Sequence, residues 1–461
     1  MSHALPGRRR RGAVLAGAFS AVAALTLTAC GGPAVGGTGS ESGAATEATD
    51  WSQVEPADEI TFWSNHPGQS QDVEQELIDQ FTAETGISVN LVTAGANYDE
   101  VAQRFQAASQ SDEMPDAVIA SDVWWFRYHL NDQIIPLDDV FEYLDADAED
   151  FQPALYGDYE YEDQHWAAPY ARSTPLFYYN KDMWAAAGLP DRGPETWAEL
   201  QDWSAQLAGQ VPDGGSPFGL STGPSWGAWW FENMIWGQGG QYSDGFEVTL
   251  DTEEAIAGGQ FLSDLFHGVA GVNNGEPVAT VSATDSMADF SSGLIASTIG
   301  STGSLTGALE SASFEVGTAF LPDGPDGGGS PTGGTGVAVS ASSTPEKQLA
   351  AAMFVQFLTN TDNTATFSQA TGYMPVRTSA VESDTMNAVY ERAPQFRTAV
   401  DQLGEKARSQ DYIRVFVPGA DALLNTAIEQ IVLEGTDPAT AFESITPQLE
   451  TAYRENVEPY L

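Results

Sequence analysis

One cysteine occurs in 461 residues, at position 30. A disulfide within the chain is therefore excluded, and one thiolate is too few for a structural zinc site. Basic residues are scarce as well: 17 Lys and Arg stand against 65 Asp and Glu, a formal charge of −48 at pH 7. Binding nucleic acid needs a basic face, so nucleic acid is not expected as a partner. Such acidity suits solubility at high ionic strength and says nothing about fold. Histidine is limited to five residues, which leaves little for general-base chemistry. Beyond the stretch 12–27, no apolar run is long enough to cross a bilayer. No repeat of fixed period is present.

What the chain does have begins at its N-terminus. Arg8, Arg9, Arg10 and Arg11 precede an uncharged run of small and apolar residues, and Leu27-Thr28-Ala29-Cys30 follows. A basic segment, a short apolar segment and small residues before a cut read as a secretory leader, 1–29. Leu-Thr-Ala-Cys resembles the bacterial lipobox. That implies a diacylglyceryl group on the Cys30 sulfur, cleavage before it, and anchoring through acyl chains such as palmitate; two or more chains hold where one would not. An ordinary leader with an incidental cysteine is the alternative, and the paired arginines also suit the twin-arginine export route. Residues 30–58 are rich in Gly, Ser, Ala, Thr and Glu. They bury too little apolar surface to offset ordering entropy and read as a flexible tether. The expected location is the outer face of the cell membrane.

About 400 residues follow the tether, more than one core usually holds, so two lobes are expected. "EITFWSN" reads as a strand, and Val73, Leu77, Ile78 and Phe81 recur at helical spacing up to Gly86. "ISVNLVTA" and "PDAVIAS" read as strands around a helix bearing Val101, Phe105 and Ala108. This alternation predicts an α/β fold with a mainly parallel sheet. Further on, Thr196 and Glu199 form a capping-box pattern, Glu253 to His267 reads as helix, and Thr344-Pro345 and Asp437-Pro438 open helices. "YIRVFVPG" reads as strand-like. "GLSTGPSWGAWWFENMIWGQGG" is dense in Gly and Trp, and its broken periodicity points to a cleft wall rather than plain core.

"STPLFYYNKDMWAAAGLP", followed by "ETWAEL", "ADFSSGLIASTIGSTGSL" and "QATGYMPVRTSA", resembles the extracellular solute-binding proteins of carbohydrate-type ABC importers, over about 59–461. The resemblance implies a two-lobed periplasmic-binding-protein fold of type II with a ligand cleft between lobes. It places crossings between lobes near 168–175, 333–337 and 361–369. Lobe 1 is then 59–168 plus 336–365, and lobe 2 is 169–335 plus 366–461. The local motifs are most similar to the sn-glycerol-3-phosphate-binding branch. "ANYDE" implicates Tyr98, and "RSTPLFYYN" implicates Ser173. Asp122 in "IASDVWW" stands where the branch has a glutamate, one carbon shorter. Trp226 and Trp229 keep the branch's W-x-x-W spacing, although the following Glu-Asn is displaced by one. Ser304, with Ser301 as a substitute, Gly334 in "PTGGTG", Tyr373 in "TGYMP" and Arg414 complete the implied ligand site.

These residue types suit a small phosphate ester. An arginine offers phosphate a bidentate fork, and hydroxyls and a glycine amide supply further donors. Asp122 would repel phosphate, so it is expected at the other end, accepting from glycerol hydroxyls. The tryptophans would wall the cleft and exclude water. The expected function is capture of sn-glycerol 3-phosphate or a glycerophosphodiester by lobe closure, with delivery to the transmembrane permease subunits. No catalytic residue, cofactor or metal is expected, and the protein is expected to act as a monomer. A sugar is the alternative ligand; it has no need of an unpaired Arg414. Without the resemblance, Arg414 reads as one partner of a carboxylate, and Tyr98 and Tyr373 as core tyrosines with bonded hydroxyls. An enzyme reading rests only on Gly223 to Gly227, which matches G-x-S-x-G, but His267 alone follows it. A surface adhesin would show no ligand-dependent stability.

Overall fold

Ile60 and Phe62 alternate into the interior of the first strand, and the helix behind them seals that face with Val73, Leu77, Ile78 and Phe81. Gly86 ends this helix in the left-handed region, its N–H bonded to Thr82 O. Phe62 and Phe81 both meet Phe354, at ring separations of 5.5 and 5.3 Å. That contact brings the helix Pro345–Leu358, entered through Thr344 and Pro345 as the sequence predicts, onto the same core. This computed structural model describes residues 49–109, 113–223, 226–282 and 285–461. The expected leader, Cys30 and the tether up to residue 48 lie outside the described residues, as do Pro224 and Ser225 of the G-x-S-x-G match; the end of the expected tether is instead packed on the core, with Trp51 buried and Ala57 N donating to Glu346 O at 2.9 Å.

Ten strands form the two main sheets: β1 Glu59–Ser64, β2 Ser88–Thr93, β3 Ala117–Ser121, β4 Ala168–Ser173, β5 Pro175–Asn180, β6 Phe218–Leu220, β7 Ala279–Val281, β8 Ser297–Ser301, β9 Val316–Ala319 and β10 Gly333–Val339. The first sheet has the order β2-β1-β3-β10-β4 and the second β7-β6-β8-β5-β9. The expectation of mainly parallel pairing needs a correction. β1 pairs in parallel with β2 and β3, but β10 runs antiparallel to both β3 and β4. Likewise β5 runs antiparallel to β8 and β9.

The reversed strand of each sheet is the one that arrives from the other sheet. β4 leaves the first sheet at its C-terminal edge, and after Thr174 alone the chain enters the second sheet as β5. A strand entering at the edge where its neighbours end must run against them. β10 makes the return the same way, through Pro331 and Thr332. The strand C-termini of both sheets therefore face these crossings, where open α/β sheets place their ligands.

β4 pairs in the first sheet through to Ser173, beyond the expected lobe boundary at 168. The third expected crossing, 361–369, falls inside the helix Thr361–Thr371, whose N-terminus Asn360 caps. After it, Val376 O still accepts from Gln152 N, and Arg377 still donates to Ala146 O and Asp147 O. The second sheet is reached at Gln395, whose amide donates to Val316 O at 2.7 Å. The capping box is also displaced: Thr196 Oγ1 accepts from Glu199 N, but the Glu199 carboxylate reaches Glu195 N and Arg192. The C-terminal helices Ala420–Glu434 and Pro438–Asn456 pack with Gly227–Gly237 and Glu253–His267. Among the described residues, no helix is long and apolar enough to cross a membrane.

Candidate functional site

The crossings place four of the expected residues by backbone alone. Asp122 follows the last residue of β3, and its N–H donates to Gly334 O at 3.2 Å. Gly334 sits at φ +97, where a Cβ would lie 2.1 Å from Ala171 O. Only glycine fits that junction of β10 with β4. Ser173, the last residue of β4, pairs with Gly333 and is buried. Ser304 follows β8 by way of a turn in which Ser301 Oγ accepts from Gly303 N at 3.1 Å. That bond gives Ser301 a turn-bracing role and leaves Ser304 as the nearer candidate.

Tyr98 opens the helix Tyr98–Ala108, fixed by Asn97 Oδ1 accepting from Glu100 N. Tyr373 follows Gly372, which ends the helix Thr361–Thr371 at φ +98. The two phenol oxygens meet at 3.4 Å. Burial raises both hydroxyl pKa values, so both phenols are neutral donors at physiological pH. The Tyr373 ring lies so close to Gly68 and Gly303 that a Cβ on either would press on it, at 2.9 and 2.5 Å.

The tryptophan segment differs from expectation. Gly227–Gly237 is a helix buried on every side, so most of its aromatics are core. Trp229 is the exception in position: its Nε1 donates to Thr332 O at 2.8 Å, and its ring covers Gly333 at the crossing. Trp226 packs edge-on against it at 5.9 Å and is 38% exposed.

Arg414 departs furthest from its expected setting. "YIRVF" is a short helix, Tyr412–Phe416, not a strand, because Arg414 N bonds back to Asp411 O. Its guanidinium is buried among acids. Nε lies 2.9 Å from Asp421 Oδ1, and Nη1 lies 3.8 Å from Asp122 Oδ2. Gln410 bridges the pair, accepting from Arg414 Nη1 and donating to Asp122 Oδ2 at 2.8 Å. Burial works against the charge on Arg414, but Asp421, Glu232 and Asp122 outweigh it and hold its proton more firmly than usual. Behind it, Glu232 is fully buried; Asp411 N donates to one oxygen at 2.9 Å, and the other has no partner among the described residues. Burial raises its carboxyl pKa well above the usual range, only partly offset by Arg414. Asp411 accepts from Tyr242 N at 2.6 Å and from Trp236 Nε1, and burial pushes its pKa up to about 6. The expectation that Asp122 and Arg414 sit at opposite ends of a ligand therefore does not hold: they are neighbours.

Tyr98, Asp122, Ser173, Trp229, Gly334, Tyr373 and Arg414 thus come together along the crossings, with Trp226 and Ser304 at the margins. One further residue belongs with them. Arg172 is completely buried, donating from Nη1 to Tyr159 Oη at 2.8 Å and pairing with Asp158, which also accepts from Thr332 Oγ1 at 2.6 Å. Its Nε has no partner among the described residues, and its charge acts on Tyr98, Tyr373 and Asp122. The signal was present: a lone basic residue inside the apolar, strand-like "APYARSTPLFYY". Burying a charge there is costly unless it is paired or used. Among the described residues, no cluster of His, Cys, Asp or Glu suits a metal ion.

Two α/β lobes joined by reversed strands, with polar side chains gathered where the strands cross, define a two-lobed solute-binding protein. Residues 76–398 match the family of bacterial extracellular solute-binding proteins, and the chain belongs to that family. It is 28% identical over 372 residues, 77% of this chain and 81% of the relative, to the sn-glycerol-3-phosphate-binding periplasmic protein UgpB of Pectobacterium atrosepticum. The crystal structure of UgpB from Mycobacterium tuberculosis in complex with glycerophosphocholine superposes with a TM-score of 0.81, at 42% identity, over 87% of this chain and all of that one. The GacH receptor of Streptomyces glaucescens, at 23% identity and a TM-score of 0.73 over 88% of this chain and all of that one, shows the same fold. The type II periplasmic-binding fold expected from the sequence is the fold observed.

Proposed function

We propose that this protein captures sn-glycerol 3-phosphate or a glycerophosphodiester between its lobes and delivers it to the transmembrane subunits of an ABC importer, making and breaking no bond. One observation carries the reading. Hydroxyls of Tyr98, Tyr373 and Ser173 gather beside the Asp122–Arg414–Gln410 cluster, in a fold shared with a glycerophosphocholine-bound relative at 42% identity. The cluster sets the direction of the ligand. Phosphate brought to Arg414 would meet Asp122, Asp421 and Glu232 as well, so the glycerol hydroxyls belong there, accepting from the arginine and donating to Asp122. The phosphate belongs with Ser173, Ser304, the two tyrosines and the Gly334 amide, in the field of Arg172. Trp229 joins the site to the crossing through Thr332 O, so ligand contact bears on the hinge. Cys30 carries the lipid anchor in this reading, and the protein works as a monomer at the outer membrane face.

A sugar is the second reading. The pairing of Arg414 with Asp421 favours it, because a neutral sugar needs no free arginine. Calorimetric titration of the purified chain with sn-glycerol 3-phosphate, glycerophosphocholine and maltose decides between them. Micromolar or tighter binding of the phosphates, weakened by Arg172→Met, is the expected result. Binding of maltose alone would give the protein to the sugars.

A further inference from the structure

Two guanidinium groups stand at the site, and each already has its carboxylate. Arg172 is completely buried and pairs with Asp158. Arg414 is buried too, lying 2.9 Å from Asp421 and 3.8 Å from Asp122. Asp122 is the carboxylate in excess: its charge acts on Arg172 and Asp158 as well as on Arg414. Three carboxylates therefore face two arginines, before the buried Glu232 is counted. Neither arginine has charge left over for a ligand.

The remaining donors are neutral. The Tyr98 and Tyr373 hydroxyls stay protonated in their buried positions, and Ser173 beside them is a hydroxyl as well. Such groups bind a phosphate oxygen without cancelling its charge. Among the described residues, the cation whose charge acts on Tyr373 is Arg172, the one already paired with Asp158. A phosphomonoester carries about −1.5 to −2 at neutral pH, because its second ionisation falls at about pH 6. A phosphodiester has no second ionisable oxygen and keeps one negative charge. A buried charge without a partner is costly, and the second charge of a monoester has no partner here.

We infer that this site selects a phosphate bearing a single negative charge, so that it favours a phosphodiester over a phosphomonoester and takes sn-glycerol 3-phosphate best as the monoanion. The inference rests on the phosphate reading above and narrows its two ligand classes to one. Asp158 is the residue that sets the preference. It makes Arg172 half of a neutral pair, and Thr332 Oγ1, donating to it at 2.6 Å, holds it in that place.

The methyl diester of sn-glycerol 3-phosphate provides the test, because it removes one charge and adds almost no head group. The purified chain is titrated calorimetrically with sn-glycerol 3-phosphate, its methyl diester and glycerophosphocholine, at pH 8 and at pH 5.5. At pH 8, where the monoester is a dianion, both diesters are expected to bind at least about tenfold more tightly than it does. At pH 5.5, where most of the monoester is a monoanion, the ratio of methyl diester to monoester should fall towards one. The methyl diester, which does not titrate, serves as the reference for changes in the protein. Asp158→Asn frees the charge of Arg172 and should raise monoester affinity at pH 8 at least about tenfold relative to the methyl diester. Should that variant not fold, the pH comparison on the unaltered chain still decides. Equal binding of monoester and methyl diester at pH 8, or a ratio that pH does not move, overturns the inference while the phosphate reading stands. Failure of all three phosphates to bind overturns both.

Discussion

Asp122 Oδ2 and Arg414 Nη1 lie 3.8 Å apart, and Gln410 donates to the same carboxylate oxygen at 2.8 Å. The pair links the end of a first-sheet strand to a helix that packs with the second sheet's elements.

Removing one member of such a buried group is expected to cost more than removing several. Arg414→Ala leaves Asp122 and Asp421 without their buried cation, at a cost of about 3–5 kcal/mol. Arg414→Met combined with Asp421→Leu is expected to recover most of that loss. Urea denaturation of the three proteins checks it; equal destabilisation by the single and the double substitution would refute the charge argument.

The tyrosine hydroxyls are expected to matter to ligand more than to fold. The contact between Tyr98 and Tyr373 is long at 3.4 Å, so its loss costs little. A hydrogen bond to a charged group contributes about 1.5–3 kcal/mol. Tyr98→Phe and Tyr373→Phe should each lower affinity for sn-glycerol 3-phosphate roughly tenfold to a hundredfold while the melting temperature stays nearly fixed. Calorimetry and thermal melts read the two effects separately.

Gly334→Ala tests the crossing. The added Cβ combines a left-handed φ of +97 with an approach of 2.1 Å to Ala171 O. Strain of this kind costs about 3 kcal/mol, visible as a lowered urea midpoint.

Asp411 makes stability depend on pH in an unusual sense. Its pKa is raised to about 6 from an ordinary 3.8, so the folded chain holds this proton more tightly than the unfolded one. The resulting stability is full below about pH 4 and is lost as pH rises through about 6, by about 3 kcal/mol at most. Asp411→Asn should remove that part of the slope. Melting temperatures of the two proteins should therefore lie nearest at pH 4 and separate across pH 5, 6 and 7 as the wild type loses stability relative to the variant; a constant gap would show that Asp411 does not titrate in this range.

Strands and helices were legible where the pattern was local. Val73, Leu77, Ile78 and Phe81 declared their helix, and Glu253–His267 was readable to the residue. What could not be read was tertiary. Nothing local says that β10 will slot between β3 and β4, or that Tyr412–Phe416 will coil rather than extend. Strand propensity yields to packing in so short a segment. The tryptophan helix misled for a related reason: buried on all sides, it has no stripe to reveal it. Among the site residues, resemblance named Asp122 and Arg414, but only coordinates show them as neighbours. Arg172 was visible as a charge in an apolar strand, yet its burial was not.

The placement of β10 also governs when the molecule becomes a molecule. Residues 333–339 supply the strand between two partners that lie 160 to more than 200 positions earlier in the chain. During synthesis the first sheet stays split until nearly three-quarters of the polypeptide exists. Pairings at such separations are slow to find. The first sheet is thus completed only after all five strands of the second have been made.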